Sequence, residues 1–424
     1  MTEKFQTVKG MQDYMPERMR KKQYIEDLCR GVFERYGFAP LQTPAVEYFD
    51  LLAAKGSAGE AIKEELYYFK DKSDRELGLR FDLTVPLARI VASSPQLLNP
   101  LFRRYQIGTA YRYDKPTTSR YREFTQADVD IGGVRGIAGE LEILQITVDI
   151  FKKLGVEFYI KMNNRRLLEE IALACGIEKA QINDAFRSID KLDKIGWEGV
   201  EKELVEKKIN ARIVELVKKN DLDEIGKLLR KGNADLSVLE EMKKLLALLG
   251  KLGIGKYAKL DLSLARGLEY YTGTVYEVIC LGKWSCAAGG RFDRLIENYG
   301  GAPTPAVGIS FGIDRILDVA EEKIKLPELT KVFVINVGDD EKIVLAAMEV
   351  AQKLRALGIN TRMNLVAGRL GKVLGTANKL NVPYAAIVGE DELKNKEIIL
   401  RDMSTGKQQN IKLGELEKIA KIVE

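Results

Sequence analysis

Residues 101–131 combine a cluster of basic side chains with a row of acids and amides. Between residues 101 and 124 the chain carries two acidic residues, against a basic set of Arg103, Arg104, Arg112, Lys115, Arg120 and Arg122. Arginine suits polyphosphates because its planar guanidinium donates two hydrogen bonds at once. In the next run, strand alternation places Gln126, Asp128 and Asp130 on one face. This pattern predicts a site for a substrate carrying both signs of charge, although a solvated sheet face is the alternative.

The sequence contains no histidine, which restricts the chemistry available. Without imidazole there is no Ser/His/Asp triad, no histidine general base and no histidine-ligated metal. The cysteines at 29, 175, 280 and 286 form no CxxC pair, so we predict reduced structural thiols. The usual glycine-rich phosphate loops are also absent. Catalysis therefore has to use carboxylates, arginines, hydroxyls or groups of the substrate itself.

Three further segments are weak signals when each is taken alone. ARGLEYYTGTVYEV at 265–278 places Arg266 before two tyrosines and a strand, and such an arginine is usually a surface residue. GGRFDRLI at 289–296 has paired glycines that allow close backbone approach to a ligand, or simply a tight turn. GISFGIDRIL at 308–317 predicts a strand running into a helix that carries Arg315 in its first turns.

The remaining pattern predicts the elements that position these residues. We expect a helix over 13–36 with Asp13 as its cap, and an edge strand or an interface over 37–52 because of Pro40 and Pro44. Residues 101–133 predict a long antiparallel hairpin. A Leu-, Lys- and Glu-rich region at 165–255 has helical spacing, and the strands and helices alternate after residue 331.

Composition and length indicate a multidomain globular protein. The chain has 424 residues with a formal charge of +5, which excludes a polycationic nucleic-acid coat. No apolar run reaches the ~18 residues that a membrane span needs, and the N-terminus does not resemble a secretory signal, so we expect a cytosolic protein. Residues 331–424 carry 15 basic and 12 acidic residues, which permits a nucleic-acid partner.

Taken together, the segments resemble class II aminoacyl-tRNA synthetases, and most closely the histidyl-tRNA synthetase family. The string LARGLEYYTG at 264–273 is similar to the signature of that family. The other matches are KGMQDYMPE at 9–17, the motif 1 segment at 37–52, LRFDLTVPLAR at 79–89 as the amino-acid-binding strand, motif 2 at 102–132 and motif 3 at 305–317.

The resemblance implies a fold and an activity. The fold is an α+β catalytic domain over 1–325 on a mostly antiparallel sheet, with a helical insertion at 165–255 and a C-terminal α/β anticodon-binding domain at 329–424. The activity is ATP-dependent attachment of histidine to its tRNA through a histidyl-adenylate. It implies ATP and Mg²⁺, the tRNA for histidine as partner, and a homodimer formed through motif 1; the metal ligands are not identified.

The resemblance also assigns roles to individual residues. The predicted ATP-binding residues are Arg112, Arg120 and Arg315, and the catalytic residues are Arg112 and Arg266. The predicted histidine-binding residues are Asp82, Thr84, Gln126, Asp130, Arg266, Tyr270 and Tyr271. Of these, Asp130 and Tyr271 correspond to the residues that contact the imidazole ring, and Arg266 to the one that contacts the substrate carboxylate and the α-phosphate.

Three alternatives come from other classes. A histidyl-synthetase paralogue serves as a non-catalytic, histidine-binding regulatory subunit of ATP phosphoribosyltransferase, but such paralogues generally lack the anticodon module and parts of the arginine set. Another class II synthetase with the same C-terminal module conflicts with the RGLEYYTG string. A plain tRNA-binding protein would have no use for the ATP arginines.

Overall fold

The chain folds into two compact units, Met1–Ile324 and Lys325–Glu424. The computed structural model describes residues 5–54, 61–117, 119–232, 234–265, 271–366 and 368–423. Within these residues no helix is long and apolar enough to cross a membrane.

The first helix, α1, spans Pro16–Arg35 and so begins later than predicted. The prediction that Asp13 caps it is wrong, because Met15 occupies the cap position and makes no side-chain cap hydrogen bond. Pro16 begins the helix, where its missing N–H is not needed. Gly37 follows the end of the helix with φ of 76°, a backbone conformation that favours glycine.

The first unit contains a large sheet and a small one. Its strands are β1 (Ala39–Pro40), β2 (Val46–Tyr48), β3 (Tyr68–Lys70), β4 (Glu76–Leu79), β5 (Phe102–Tyr111), β6 (Glu123–Gly132), β7 (Phe158–Asn164), β8 (Ala258–Leu260), β9 (Thr274–Cys280), β10 (Trp284–Arg291) and β11 (Ala306–Gly312). Eight of these described strands form one sheet in the order β1-β5-β6-β11-β10-β9-β7-β8. Only the outermost pairs β1-β5 and β7-β8 are parallel, so the prediction of a mostly antiparallel sheet is confirmed. Pro40 lies on the edge strand β1, as its missing N–H requires.

Helices cover this sheet and fill the region between β7 and β8. The remaining helices of the unit are α2 (Phe49–Ala53), α3 (Ala61–Glu65), α4 (Thr84–Ser93), α5 (Ala138–Leu154), α6 (Arg165–Ala174), α7 (Ile182–Ile189), α8 (Leu192–Glu206), α9 (Arg212–Lys219), α10 (Leu222–Lys231), α11 (Ser237–Lys251), α12 (Leu295–Asn298) and α13 (Ile313–Ala320). Helices α6 to α11 pack around an apolar core of their own, which includes Phe186, Leu204 and Ile225.

The segment at 79–89 is not the strand that the resemblance implied. Strand β4 ends at Leu79, and Thr84 already begins helix α4. The physical reason is Asp82, whose Oδ1 accepts hydrogen bonds from the backbone N–H groups of Thr84 at 3.1 Å and Val85 at 2.9 Å. These bonds satisfy N–H groups that the first helical turn leaves without intrahelical partners.

The second unit has a separate sheet and its own core. Its strands are β12 (Val332–Asn336), β13 (Thr361–Met363), β14 (Tyr384–Val388), β15 (Glu397–Asp402) and β16 (Gln408–Lys412), and its helices are α14 (Glu341–Ala356), α15 (Leu370–Lys379), α16 (Glu390–Lys394) and α17 (Glu417–Val423). Strands β13, β12 and β14 are parallel, as the alternating pattern predicted. The antiparallel hairpin of β15 and β16 was not predicted.

Candidate active site

Strand β6 places the predicted polar face inside the protein. Gln126, Asp128 and Asp130 are 8%, 1% and 4% exposed, so the alternative of a solvated sheet face is wrong. The predicted hairpin is confirmed, and its register sets Arg104 on β5 opposite Asp130. On the other side of β6, Ser310 of β11 lies opposite Asp128. The face is therefore a buried polar layer between two neighbouring strands.

A pocket of about 1050 Å³ opens above this layer. Among the residues that line it are most of the predicted site residues, namely Asp82, Thr84, Arg112, Arg120, Gln126, Tyr271 and Arg315. Arg266 and Tyr270 lie outside the described residues. Asp130 does not line this pocket and instead borders a small neighbouring void of about 10 Å³. The fold thus brings together residues that are more than 230 positions apart in the sequence.

Three of the four arginines predicted for the site lie in the described residues, and they occupy different positions around the pocket. Arg112 donates from Nε to the Phe81 carbonyl at 3.1 Å, and its guanidinium lies 5.0 Å from the centre of the Phe124 ring. Burial lowers the pKa of Arg112, while the charge of Asp82 opposes that shift. Arg120 is more exposed and pairs with Asp114 at 2.5 Å.

Arg315 is held by backbone carbonyls rather than by acids. Its Nη1 donates to the Ser285 carbonyl at 2.7 Å, and Nε and Nη2 each lie 3.3 Å from the Ser119 carbonyl. Because these partners are uncharged, the positive charge of Arg315 remains available to an anion in the pocket.

The amide of Gln126 is fixed on one side only. Its Nε2 donates to Ser310 Oγ at 2.7 Å, and its Oε1 accepts no hydrogen bond from any residue in the described ranges. Tyr271 lies at the edge of an apolar cluster with Phe292 and Leu295. Burial raises the pKa of Tyr271, followed by the charges of Asp128, Asp130 and Asp82, so its hydroxyl stays protonated.

Asp130 forms a buried ion pair with Arg104. Arg104 Nη2 lies 2.6 Å from Asp130 Oδ2 and 3.2 Å from the Leu83 carbonyl, and Arg104 is only 1% exposed. Burial raises the pKa of Asp130, and the guanidinium of Arg104 opposes this shift. Asp130 is therefore already engaged by the protein before any ligand is considered.

Glycines allow the side chains of this layer to pass close to the neighbouring backbone. A Cβ added at Gly308 would lie 1.9 Å from Asp130 Oδ1 and 2.7 Å from the Val129 carbonyl oxygen. A Cβ at Gly290 would lie 2.9 Å from a ring carbon of Tyr271. The paired glycines at 289 and 290 therefore serve close packing in strand β10, not a tight turn.

Asp314 joins three segments at the pocket wall, and sequence reasoning missed it. Its Oδ2 accepts from the Thr125 backbone N–H at 2.5 Å, and its Oδ1 is contacted by Lys22 Nζ at 2.9 Å and by the Tyr14 hydroxyl. Asp314 is 2% exposed and precedes Arg315 in helix α13. Its adjacency to Arg315 was the signal that could have identified it.

The helical region supplies one wall of the same pocket. The lining residues from α7, α8 and the segments that flank them are Asp184, Arg187, Asp190, Lys191, Lys194 and Lys207. Their charges do not stand out from the sequence, because basic and acidic residues are equally numerous over 165–250. Arg104 and Asp128 belong to the basic cluster and the polar row that predicted the site, but neither received an individual role, although pairing the hairpin in register would have indicated Arg104.

The described part of the pocket offers a magnesium ion few carboxylate ligands. Among the described residues, no three Cys, Asp or Glu side chains are grouped as a metal site. Mg²⁺ commonly binds through substrate phosphates and water with only one or two carboxylates, so the pocket remains compatible with the ion. Glu277 lines the pocket and is 5% exposed, which makes it a suitable oxygen donor.

Comparison with known proteins agrees with this geometry. Residues 10–316 match the model of the histidyl-tRNA synthetase family, and residues 331–422 match that of an anticodon-binding domain. Histidine–tRNA ligase 1 of Bacillus cereus is 36% identical over 423 residues, covering 97% of this chain and 98% of the relative. Histidine–tRNA ligase of Bacteroides fragilis is 36% identical over 443 residues, covering 96% and 97%.

Solved structures share the fold over almost the entire length. The histidyl-tRNA synthetase of Nostoc sp. PCC 7120 superposes with a TM-score of 0.84 at 29% identity, covering 99% of this chain and all of that one. A Bacillus halodurans protein described as an ATP phosphoribosyltransferase regulatory subunit/histidyl-tRNA synthetase has a TM-score of 0.76 at 22% identity, covering 91% and 98%, which shows the fold alone. The regulatory alternative is not favoured, because the full-length relatives at 36% identity are ligases. The chain belongs to the histidyl-tRNA synthetase family of class II enzymes and is an aminoacyl-tRNA ligase.

Proposed function

We propose that this chain attaches histidine to its tRNA in two steps through a histidyl-adenylate. The observation that carries the proposal is one pocket of about 1050 Å³ lined by Arg112, Arg120 and Arg315 together with Asp82 and Gln126. The volume is at the upper end of that usual for ligand sites, which suits a nucleotide and an amino acid bound side by side. The charges of both signs match a phosphate and an ammonium group.

The first step joins the histidine carboxylate to the α-phosphorus of ATP and releases pyrophosphate. The nucleophile is already ionised at neutral pH, so no general base is required, and a chain without histidine can perform the step. What the reaction demands is stabilisation of the negative charge on the phosphoryl oxygens. We assign Arg112 and Arg266 to the α-phosphate, and Arg120 and Arg315 to the outer phosphates.

Amino-acid binding is assigned to the acidic side of the pocket. Asp82, Thr84 and Gln126 would hold the α-ammonium group, since Gln126 Oε1 has no hydrogen-bond donor among the described residues. Asp130 and Tyr271 would contact the ring, and Tyr270 and Arg266 belong to the same family signature. Buried polar groups of this kind reject analogues that leave them unpaired.

The second step and the macromolecular partner follow from the same assignment. The terminal hydroxyl of the tRNA attacks the adenylate, and the adenylate phosphate itself can accept the proton. The domain at 329–424 would bind the anticodon, supported by the match at 331–422. Mg²⁺ would enter with ATP, held by phosphate oxygens, water and Glu277, and would supply charge neutralisation of the phosphates when bound.

A homodimer is part of the proposal. Strands β2, β4 and β3 form a small antiparallel sheet, in which Tyr48, Leu77 and Phe69 lie side by side in register. Tyr48 is 58% exposed, Val46 40% and Phe69 39%, so the face is apolar and open. A second copy of the chain is the occupant that motif 1 implies for this face.

The deciding experiment is pyrophosphate exchange with each of the twenty amino acids in turn. We expect exchange with histidine only, with a loss of about 10²–10³-fold in Arg112→Ala and in Arg266→Ala because each removes a transition-state charge contact. Arg294→Ala is the matched control, since Arg294 is exposed and pairs with Glu297. Histidine-dependent exchange that is unchanged in both pocket variants would refute the assignment.

A further inference from the structure

The segment between β5 and β6 carries Arg120 to the pocket. Thr117 and Arg120 exchange two backbone hydrogen bonds of 3.2 and 3.1 Å, which close the tip of the segment. Ser119 and Arg120 both line the pocket. The side chain of Arg120 is more than half exposed, and its ion-pair partner Asp114 belongs to the same segment. The position of Arg120 therefore depends on what holds the residues next to it.

Helix α13 holds this segment at two points. Arg315 donates from Nε and Nη2 to the Ser119 carbonyl, each at 3.3 Å. Asp318 accepts from the Tyr121 hydroxyl, which lies 3.1 Å from Oδ2 and 3.4 Å from Oδ1. Residues three apart lie on the same face of a helix, so both contacts reach the segment from one side. Arg120 stands between the two attached residues in the sequence, and this attachment fixes its backbone at the pocket wall.

Asp318 is itself fixed by helix α1. Arg18 Nη2 lies 2.5 Å from Asp318 Oδ1, and Arg18 Nη1 donates to Gln12 Oε1 at 3.3 Å. Burial raises the pKa of Tyr121, and the charge of Asp318 raises it further, so the hydroxyl stays protonated and acts as the donor. The contact between Tyr121 and Asp318 is therefore a charge-assisted hydrogen bond, which is stronger than one between neutral groups.

The two attachments respond differently to a bound nucleotide. A phosphate competes with the Ser119 carbonyl for the guanidinium of Arg315. Asp318 is an anion and is not among the described residues that line the pocket, so ATP does not compete for its bond with Tyr121. We propose that Asp318 is a positioning residue for ATP binding, and that it acts through the Tyr121 hydroxyl to hold Arg120 at the outer phosphates. The inference rests on the proposed function, which assigns Arg120 and Arg315 to ATP.

Loss of this attachment should affect some substrates and not others. A segment that is not held in place has to be ordered when ATP binds, and the ordering lowers the affinity for the ligand. Pyrophosphate corresponds to the outer phosphates of ATP, so its binding depends on the same arginine. Histidine is assigned to the side of the pocket that contains Asp82 and Gln126. The inference therefore predicts higher KM values for ATP and pyrophosphate and an unchanged KM for histidine.

The test is pyrophosphate exchange in Tyr121→Phe and in Asp318→Ala, measured below the melting temperature of each variant. Each should raise the KM for ATP and for pyrophosphate by about tenfold, the scale of one hydrogen bond to a charged group, and change the KM for histidine by less than about twofold. Tyr121→Phe removes a single oxygen atom and tests the inference even if Asp318→Ala, which leaves Arg18 without this partner, folds poorly.

A second tyrosine provides the matched control. Tyr36 also donates from a half-buried hydroxyl to a carboxylate, Asp149 at 2.8 Å, and neither residue is among the described residues that line the pocket. Tyr36→Phe should leave all three KM values unchanged. A purely structural role of Asp318 would lower the melting temperature without separating the substrates. Equal changes in all three KM values of the pocket variants, or no change in any, would overturn the inference.

Double variants locate the effect at Arg120. In an Arg120→Ala background, Tyr121→Phe or Asp318→Ala should raise the KM for ATP by no more than about twofold, since the arginine that they position is gone. A full tenfold rise in that background would refute the role of Asp318. So would a rise in Tyr121→Phe that a folded Asp318→Ala does not share, because Tyr121 would then contact ATP directly. If the unmodified protein shows no histidine-dependent exchange, the proposed function fails; exchange with unchanged KM values in the single variants defeats this inference alone.

Discussion

Replacing Gly308 with alanine tests the buried layer directly. The new Cβ would lie 1.9 Å from Asp130 Oδ1 and 2.6 Å from its Cγ, far inside contact distance. The Asp130 side chain can rotate away from the new Cβ. That movement breaks the ion pair in which Asp130 Oδ2 lies 2.6 Å from Arg104 Nη2. The Val129 carbonyl, at 2.7 Å from the same Cβ, belongs to the backbone and cannot yield as easily. The substitution therefore breaks a buried ion pair by adding one methyl group.

The expected magnitude follows from that loss. Breaking a buried pair costs about 3–5 kcal/mol, because one charge is left without its partner. With an unfolding entropy of about 2.1 cal/mol/K per residue, a unit of 324 residues changes its melting temperature by about 1.5 °C per kcal/mol. We expect a decrease of about 4–7 °C, and a histidine KM in pyrophosphate exchange that rises by about tenfold as Asp130 moves.

Scanning calorimetry and the exchange assay provide the measurement, and Gly250→Ala is the control. Gly250 lies in helix α11, and a Cβ there meets nothing within 4 Å, so alanine should be neutral or slightly stabilising. The double variant Gly308→Ala with Asp130→Ala should lose less stability than the sum of the single losses, since both disrupt the same contact. An unchanged melting temperature and histidine KM in Gly308→Ala would refute the reasoning.

Three further predictions concern other parts of the molecule. Arg291→Met should destabilise the first unit by about 3–5 kcal/mol, because Arg291 pairs with the fully buried Glu140 through two contacts of 2.6 Å; calorimetry should show that adding Glu140→Gln restores part of the loss. Asp128→Asn should stabilise the protein more at pH 8 than at pH 5, since an acid with a raised folded-state pKa loses stability as pH rises above its unfolded value; melting curves that shift equally at both pH values would contradict this. Tyr48→Asp should convert the proposed dimer to monomer in sedimentation equilibrium, while Leu345→Asp, at an equally exposed position of α14, should not.

Local patterns identified much of the fold. The apolar and polar alternation at 124–131 predicted a strand, and the turn-rich segment before it predicted the hairpin of β5 and β6. The run from strand to helix at 308–317, which carries Arg315, was predicted for the same reason, because strand and helix periods are local properties. The assignment of Asp82 to a strand was wrong. Asp82 caps helix α4 through hydrogen bonds to the backbone, and such bonds are not visible in the composition of the segment. The hairpin of β15 and β16 was missed.

The amino-acid sequence by itself determined the reaction class that this protein can support. A chain without histidine but with clustered arginines is suited to charge stabilisation rather than proton transfer, and its motifs resemble one synthetase family. Only the tertiary structure decided that Asp130 is held by Arg104, that Asp128 Oδ1 has no hydrogen-bond partner among the described residues, and that Gly308 leaves space for Asp130. The reason is that burial and charge balance arise from strands distant in sequence, and a pattern read along one strand does not contain its neighbours.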